Sequence, residues 1–181
     1  MSATLPDPDR RAASEDRLVA GFAALAIAIH ILEAAFPSPL PGIKPGLANV
    51  VTLVVYLRHG LRLAAWVAGL RVLVGSLLVG TFLSPTFALS ATGALAALLT
   101  MGLAGAIGGR RIGPVGLSVL AAMAHMSGQI TVAYLVFIPH AALLKLVPVL
   151  LTAALIFGTV SGIIAAIVLD LLDRPRPCLL Y

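Results

Sequence analysis

Charge is what this sequence has least of. Of 181 residues, 12 are lysine or arginine and 7 are aspartate or glutamate, so 10% are charged, against about 25% in a soluble globular domain. So few charges cannot cover a water-facing surface, and a soluble globule is excluded. Cysteine is nearly absent as well. Cys178 is the only one and lies in the C-terminal tail, which rules out an internal disulfide and a cysteine cluster for zinc or iron–sulfur. No glycine-rich phosphate loop of the G-x-x-x-x-G-K-[ST] type occurs, so the chain does not hold ATP through that motif. Clustered carboxylates of the kind that hold Mg²⁺ on diphosphates are also missing. The close acidic pair Asp170 and Asp173 sits beside Arg174 and Arg176 and reads as a solvated helix end. The net charge of +5 forms no patch. The basic residues are scattered at the ends of apolar runs, so nucleic acid is not an expected partner.

What fills the sequence instead is apolar. Hydrophobic residues make up 60% of it, and the mean hydropathy is +1.08. They fall mostly in runs of about 17–28 residues, the length that crosses a bilayer. The expected fold is all-α: a polytopic bundle of six transmembrane helices over residues 18–171, with polar tails at 1–17 and 172–181. The spans run over Leu18–Phe36, Gly46–Leu57, Leu61–Leu83, Phe87–Ile107, Pro114–Ile138 and Ala142–Leu171. The second is too short to cross alone and either starts earlier or is a re-entrant piece. A cleaved leader is the plainer reading of residues 10–36, but five apolar runs follow and the first already works as a span. Between the first two spans lies a proline-rich segment. Its unpaired carbonyls cannot face bare lipid, so it belongs at an aqueous face or folds back into the protein.

Basic residues orient the bundle. Arg10, Arg11, Arg17, Arg58, Arg62, Arg110, Arg111, Arg174 and Arg176 collect on one side, and Lys44 and Lys145 on the other. Both termini are therefore expected inside, in a cytoplasmic (inner) membrane, with the proline-rich segment outside.

Polar groups within spans are costly and usually face the bundle interior. His30, Glu33, Asn49, Arg71, His125 and Gln129 are such groups, with Lys44 and Lys145 at the edge. His30 and Glu33 share a helix face, as do His125 and Gln129. Arg71 needs a partner, and Glu33 is the carboxylate a span can offer. Two readings stay open: a Glu33–Arg71 pair that locks the bundle, or a pocket open to the outside and closed by residues 37–46, where Arg71 or Lys44 meets an anionic ligand. The pocket would be lined by Glu33, Lys44, Asn49, Arg71, His125 and Gln129. A metal site from His30, Glu33 and His125 has no tight ligand motif behind it, and no cofactor is implied. On the first span Ala20, Ala24 and Ala28 recur every fourth residue, a flat stripe that lets another helix approach closely. Gly158 and Gly162 give the sixth span a GxxxG spacing.

Pro41-Gly42-Ile43-Lys44-Pro45-Gly46-Leu47-Ala48-Asn49-Val50-Val51-Thr52-Leu53 resembles the PG-x-KLGLAN-(I/V)-x-TL signature of the Gx transporter family, widely labelled heptaprenyl diphosphate synthase component I. The resemblance extends to Arg71-Val72-Leu73-Val74-Gly75-Ser76, Ser90-x-x-Gly93, Ala124-His125-x-x-Gly128-Gln129 and Pro148-Val149-Leu150-Leu151, over roughly residues 20–170. Pro45 departs from the family's usual leucine. The family is similar to the membrane-embedded substrate-binding components of energy-coupling factor transporters. That likeness implies capture of a vitamin- or precursor-like solute from outside and docking through Ala20, Ala24 and Ala28 onto a membrane coupling subunit driven by ATPases. The label implies instead a membrane subunit of heptaprenyl diphosphate synthesis or quinone metabolism. The Asp-rich DDxxD motif of prenyl synthases is absent, so the label is a name rather than chemistry this chain performs alone. A structural subunit of a membrane redox complex is a third reading.

Overall fold

The computed structural model describes residues 8–35, 47–108 and 112–174. They form six α-helices: α1 (Pro8–Ala35), α2 (Leu47–His59), α3 (Leu61–Val79), α4 (Pro85–Gly108), α5 (Pro114–Val132) and α6 (Ala141–Asp173). A π-helical turn, Ala133–Phe137, continues α5. No strand occurs among the described residues. Four helical segments are long and apolar enough to cross a membrane: Leu61–Val79, Pro85–Gly108, Pro114–Phe137 and Ala141–Asp173.

The helix ends follow local chemistry. Pro85 and Pro114 open α4 and α5, where a missing N–H costs nothing. The Ser84 hydroxyl accepts from the Phe87 N–H at 3.3 Å, and His140 Nδ1 accepts from the Ala142 N–H at 3.1 Å. α3 stops at Val79, four residues before the expected end at Leu83. Gly80 adopts φ 76°, and the N–H groups of Gly80 and Thr81 donate back to Leu77 and Ser76. This is a Schellman stop, which an achiral residue enters without strain. α1 begins at Pro8, so helix extends into the polar segment expected as a tail.

The short α2 is the hub. Its residues 50–55 are buried without interruption, so protein covers this stretch on every face. Val51 and Val55 pack with Ala26 of α1 and Leu63, Ala64 and Val67 of α3. Val50, Leu53 and Val54 pack on the other side with Met101, Leu117 and Ala165 of α4, α5 and α6. At 13 residues, α2 is about 20 Å long, and the surrounding helices keep its core-facing stretch away from lipid. The Tyr56 hydroxyl donates to the Met101 carbonyl at 2.7 Å, tying α2 to α4. The GxxxG pair on α6 meets α5: a Cβ on Gly158 would lie 2.8 Å from the Ala122 Cβ, and one on Gly162 2.6 Å from the Val115 Cα. That is the close backbone approach small residues permit.

Two ion pairs gather one end of the bundle. Arg58 at the end of α2 meets Asp173 at the end of α6 at 2.9 Å, and Arg62 at the start of α3 meets Glu15 of α1 at 3.9 Å. The N-terminal part of α1, the α2–α3 turn and the C-terminal end of α6 therefore share a side, as the charge pattern requires.

Candidate functional site

Counting from that shared end fixes the depth of each polar residue. Glu33 lies near the far end of α1, and Asn49 in the first turn of α2. Arg71 is past the middle of α3, and His125 is past the middle of α5. These positions fall in the same half of the bundle.

Arg71 is the centre of this layer. It is 7% exposed. A charge there needs compensation, because an ion taken out of water costs several kcal/mol. Asn49 supplies part of it: Arg71 Nη1 donates to Asn49 Oδ1 at 2.8 Å. Glu33 supplies another part through its charge. Glu33 is the carboxylate a span can offer Arg71, yet the group at hydrogen-bond distance is the neutral Asn49. It gets there because α2 sits in the centre of the bundle and α3 packs directly on it. Arg71 Nε is buried with no hydrogen-bond partner.

His125 joins this layer from α5, within range of the Arg71 charge, and the Nε2 edge of its ring lies against Gly93 on α4. The fit is tight. A Cβ on Gly93 would lie 2.7 Å from His125 Nε2 and 2.8 Å from Cδ2 and Cε1. The other ring nitrogen, Nδ1, is buried without a partner. His30 is seated in the same manner on α3, where a Cβ on Gly75 would lie 2.9 Å from its Cδ2.

Of the predicted pocket residues, the structure brings Asn49, Arg71, Glu33 and His125 into one layer. Gln129 is half-buried, one turn along α5 from His125, with no hydrogen bond to Arg71, Asn49 or His125. Lys44 and residues 36–46 lie outside the described residues. Among the described residues no three His, Cys, Asp or Glu side chains group as a metal site requires, so His30, Glu33 and His125 are not gathered into one. Ala20, Ala24 and Ala28 are all exposed on α1. An apolar cleft of about 230 Å³ between α3 and α4, floored by Ala68, Val72 and Ala94, contains none of the predicted residues.

Three features escaped sequence reading. Gly75 and Gly93 are the seats of the two histidines, and Thr52 is buried with its hydroxyl unpartnered. Thr52 could have been found, since it follows Asn49 by three positions on the same helix face. The glycine seats depend on helix neighbours that one-dimensional spacing does not reveal.

Neither a curated protein nor a solved structure matches the chain. The family described as heptaprenyl diphosphate synthase component I matches residues 22–168, a stretch that runs from α1 to the last turns of α6 and holds every member of the Arg71 layer. The chain belongs to the heptaprenyl diphosphate synthase component I family.

Proposed function

We propose that this protein is the substrate-binding membrane component of an uptake system for a small solute, captured from the outer side at the Arg71 layer. The observation that carries the reading is the buried guanidinium of Arg71, held by a neutral partner and with its Nε unpartnered. Intramembrane ionisable groups mark solute or ion pathways more often than they mark scaffolding. In this reading the chain crosses the cytoplasmic membrane six times, with both termini inside and α2 enclosed by the other helices. Glu33, Asn49, Arg71, His125 and Gln129, with Lys44, contact the solute. Ala20, Ala24 and Ala28 dock a membrane coupling subunit driven by ATPases. Their exposure on α1 supports that role, since nothing within the bundle covers them.

The family's name favours a second reading, a membrane subunit that works with a prenyl diphosphate synthase. One purification separates the two. Small molecules co-purifying with the full chain are identified by mass spectrometry, in the native protein and in Asn49→Ala. A solute present in the first and lost from the second, with coupling and ATPase subunits in the same preparation, is the expected result. Absence of any such solute, together with a soluble prenyl synthase that is active only with this chain, would replace uptake by the second reading.

A further inference from the structure

The six helices divide into two triplets. α1, α2 and α3 pack chiefly on one another, and so do α4, α5 and α6. Within each triplet the helices meet at close range. The His30 ring of α1 sits on Gly75 of α3, a Cβ on Gly128 of α5 would lie 3.0 Å from the Ala96 Cβ of α4, and Gly158 and Gly162 bring α6 onto the α5 backbone. The chain passes from one triplet to the other once, through the turn 80–84. Gly80 and Leu83 in that turn adopt positive φ of 76° and 60°.

The seam between the triplets differs along its length. Beside the turn, α3 and α4 leave the apolar cleft of about 230 Å³, which reaches from Phe87 to Leu98. At the far end the seam is tied. The Tyr56 hydroxyl of α2 donates to the Met101 carbonyl of α4 at 2.7 Å, over Gly105, where a Cβ would strike that hydroxyl. A Cβ on Gly102 would lie 3.0 Å from Leu61 Cδ2, and Arg58 meets Asp173 of α6 at 2.9 Å. Between cleft and ties, Val50, Leu53 and Val54 rest on Met101, Leu117 and Ala165. The Arg71 layer straddles the seam: Glu33, Asn49 and Arg71 belong to the first triplet and His125 to the second. One covalent pivot, an incompletely filled seam beside it and polar ties at the opposite end are the parts of a hinge.

Resting on the uptake reading above, we infer that the two triplets swing about the turn 80–84 and part at the end that carries Tyr56, Arg58 and Asp173, opening the Arg71 layer to the inside. The Tyr56–Met101 bond and the Arg58–Asp173 pair are the latch that keeps this end shut while solute is captured from outside.

The test needs no solute. In a Cys178→Ser background, which lacks the native thiol, single cysteines replace Val54 and Leu117 on the two faces of the seam, and Val55 inside the first triplet. All three positions are buried, and Val55 is one residue nearer the latch than Val54. Labelling by a water-soluble maleimide is timed in membrane vesicles that expose the Arg58 end, with and without Tyr56→Phe or Asp173→Asn. Tyr56→Phe should speed labelling of Val54→Cys and Leu117→Cys about tenfold, the loss of one hydrogen bond that opposes opening. Asp173→Asn should speed it about two- to fivefold, as suits an exposed ion pair. Val55→Cys should keep its rate in both. Equal acceleration at Val55→Cys, or acceleration at Val54→Cys without Leu117→Cys, would mean that the end of α2 frays and would overturn the hinge. Unchanged rates at both seam positions would overturn it as well. Either outcome leaves solute binding in place, whereas absence of a co-purifying solute would remove uptake without altering the labelling.

Discussion

Replacing Gly93 by alanine tests the seat of His125 in a single methyl group. The added Cβ would meet three atoms of the imidazole at 2.7, 2.8 and 2.8 Å, against the roughly 3.5–4.0 Å at which carbon atoms pack without repulsion. An aromatic ring is planar and rigid, so it must shift as a body by about 0.7 Å or more. Overpacking of this kind costs about 1–3 kcal/mol. The alanine recovers up to about 1 kcal/mol of helix propensity, which leaves a net loss of roughly 0–2 kcal/mol. Gly21 of α1 provides the control, because a Cβ there meets nothing within 4 Å and its replacement by alanine carries the propensity gain alone. The assay is thermal unfolding of Gly93→Ala, Gly21→Ala, His125→Ala and the Gly93→Ala/His125→Ala double variant in one detergent. Gly93→Ala should melt below Gly21→Ala, and removal of the ring should abolish the difference, giving a positive coupling in the double-mutant cycle. If Gly93→Ala is as stable as Gly21→Ala, or if the loss persists after His125 is removed, the close seating of the ring on α4 is refuted.

Asn49→Ala deprives Arg71 of its 2.8 Å acceptor and should cost about 1.5–3 kcal/mol, the range for hydrogen bonds to charged groups. An unchanged melting temperature would mean that Asn49 does not hold the guanidinium. Ala24→Trp, at an exposed position of α1, should leave the melting temperature of the isolated protein unchanged and prevent a coupling subunit from co-purifying. Earlier melting with the partner retained would make the alanine stripe ordinary bundle packing. Reporters fused after Tyr181 and at Pro39 should be active on opposite sides of the membrane, the first in the cytoplasm. Activity on the same side would dismiss the six-span topology.

Much of the architecture was legible because lipid imposes long apolar runs and charge imposes turns. The boundaries of α4, α5 and α6 fall within two residues of those expected, apart from the turn Ala133–Phe137, whose π-helical winding has no periodic signature distinct from α. The end of α3 was set too late because Leu83 looks apolar, whereas the backbone conformation at Gly80 decides the stop. The brevity of α2 was visible in the sequence, and its central position was not: an apolar stretch of 13 residues reads alike whether lipid or protein surrounds it. The site was legible at the level of residue type. Arg71, Asn49 and His125 stand out because polar groups are rare in such runs. Their pairing was not legible, since Glu33 is the chemically obvious partner of Arg71 and only the central packing of α2 brings Asn49 closer.

The enclosure of α2 has a consequence for biogenesis. A helix of 13 residues is too short to cross a bilayer alone, so α2 depends on α1 and α3 beside it. Its α1- and α3-facing side is then covered early in synthesis. The side formed by Val50, Leu53 and Val54 is covered only once α4, α5 and α6 arrive, and the bond that ties its last turn to α6 spans 115 positions of chain. During elongation the nascent protein therefore carries a half-built groove. Closure of α6 over that groove is therefore the last and longest-range step in completing the core around α2.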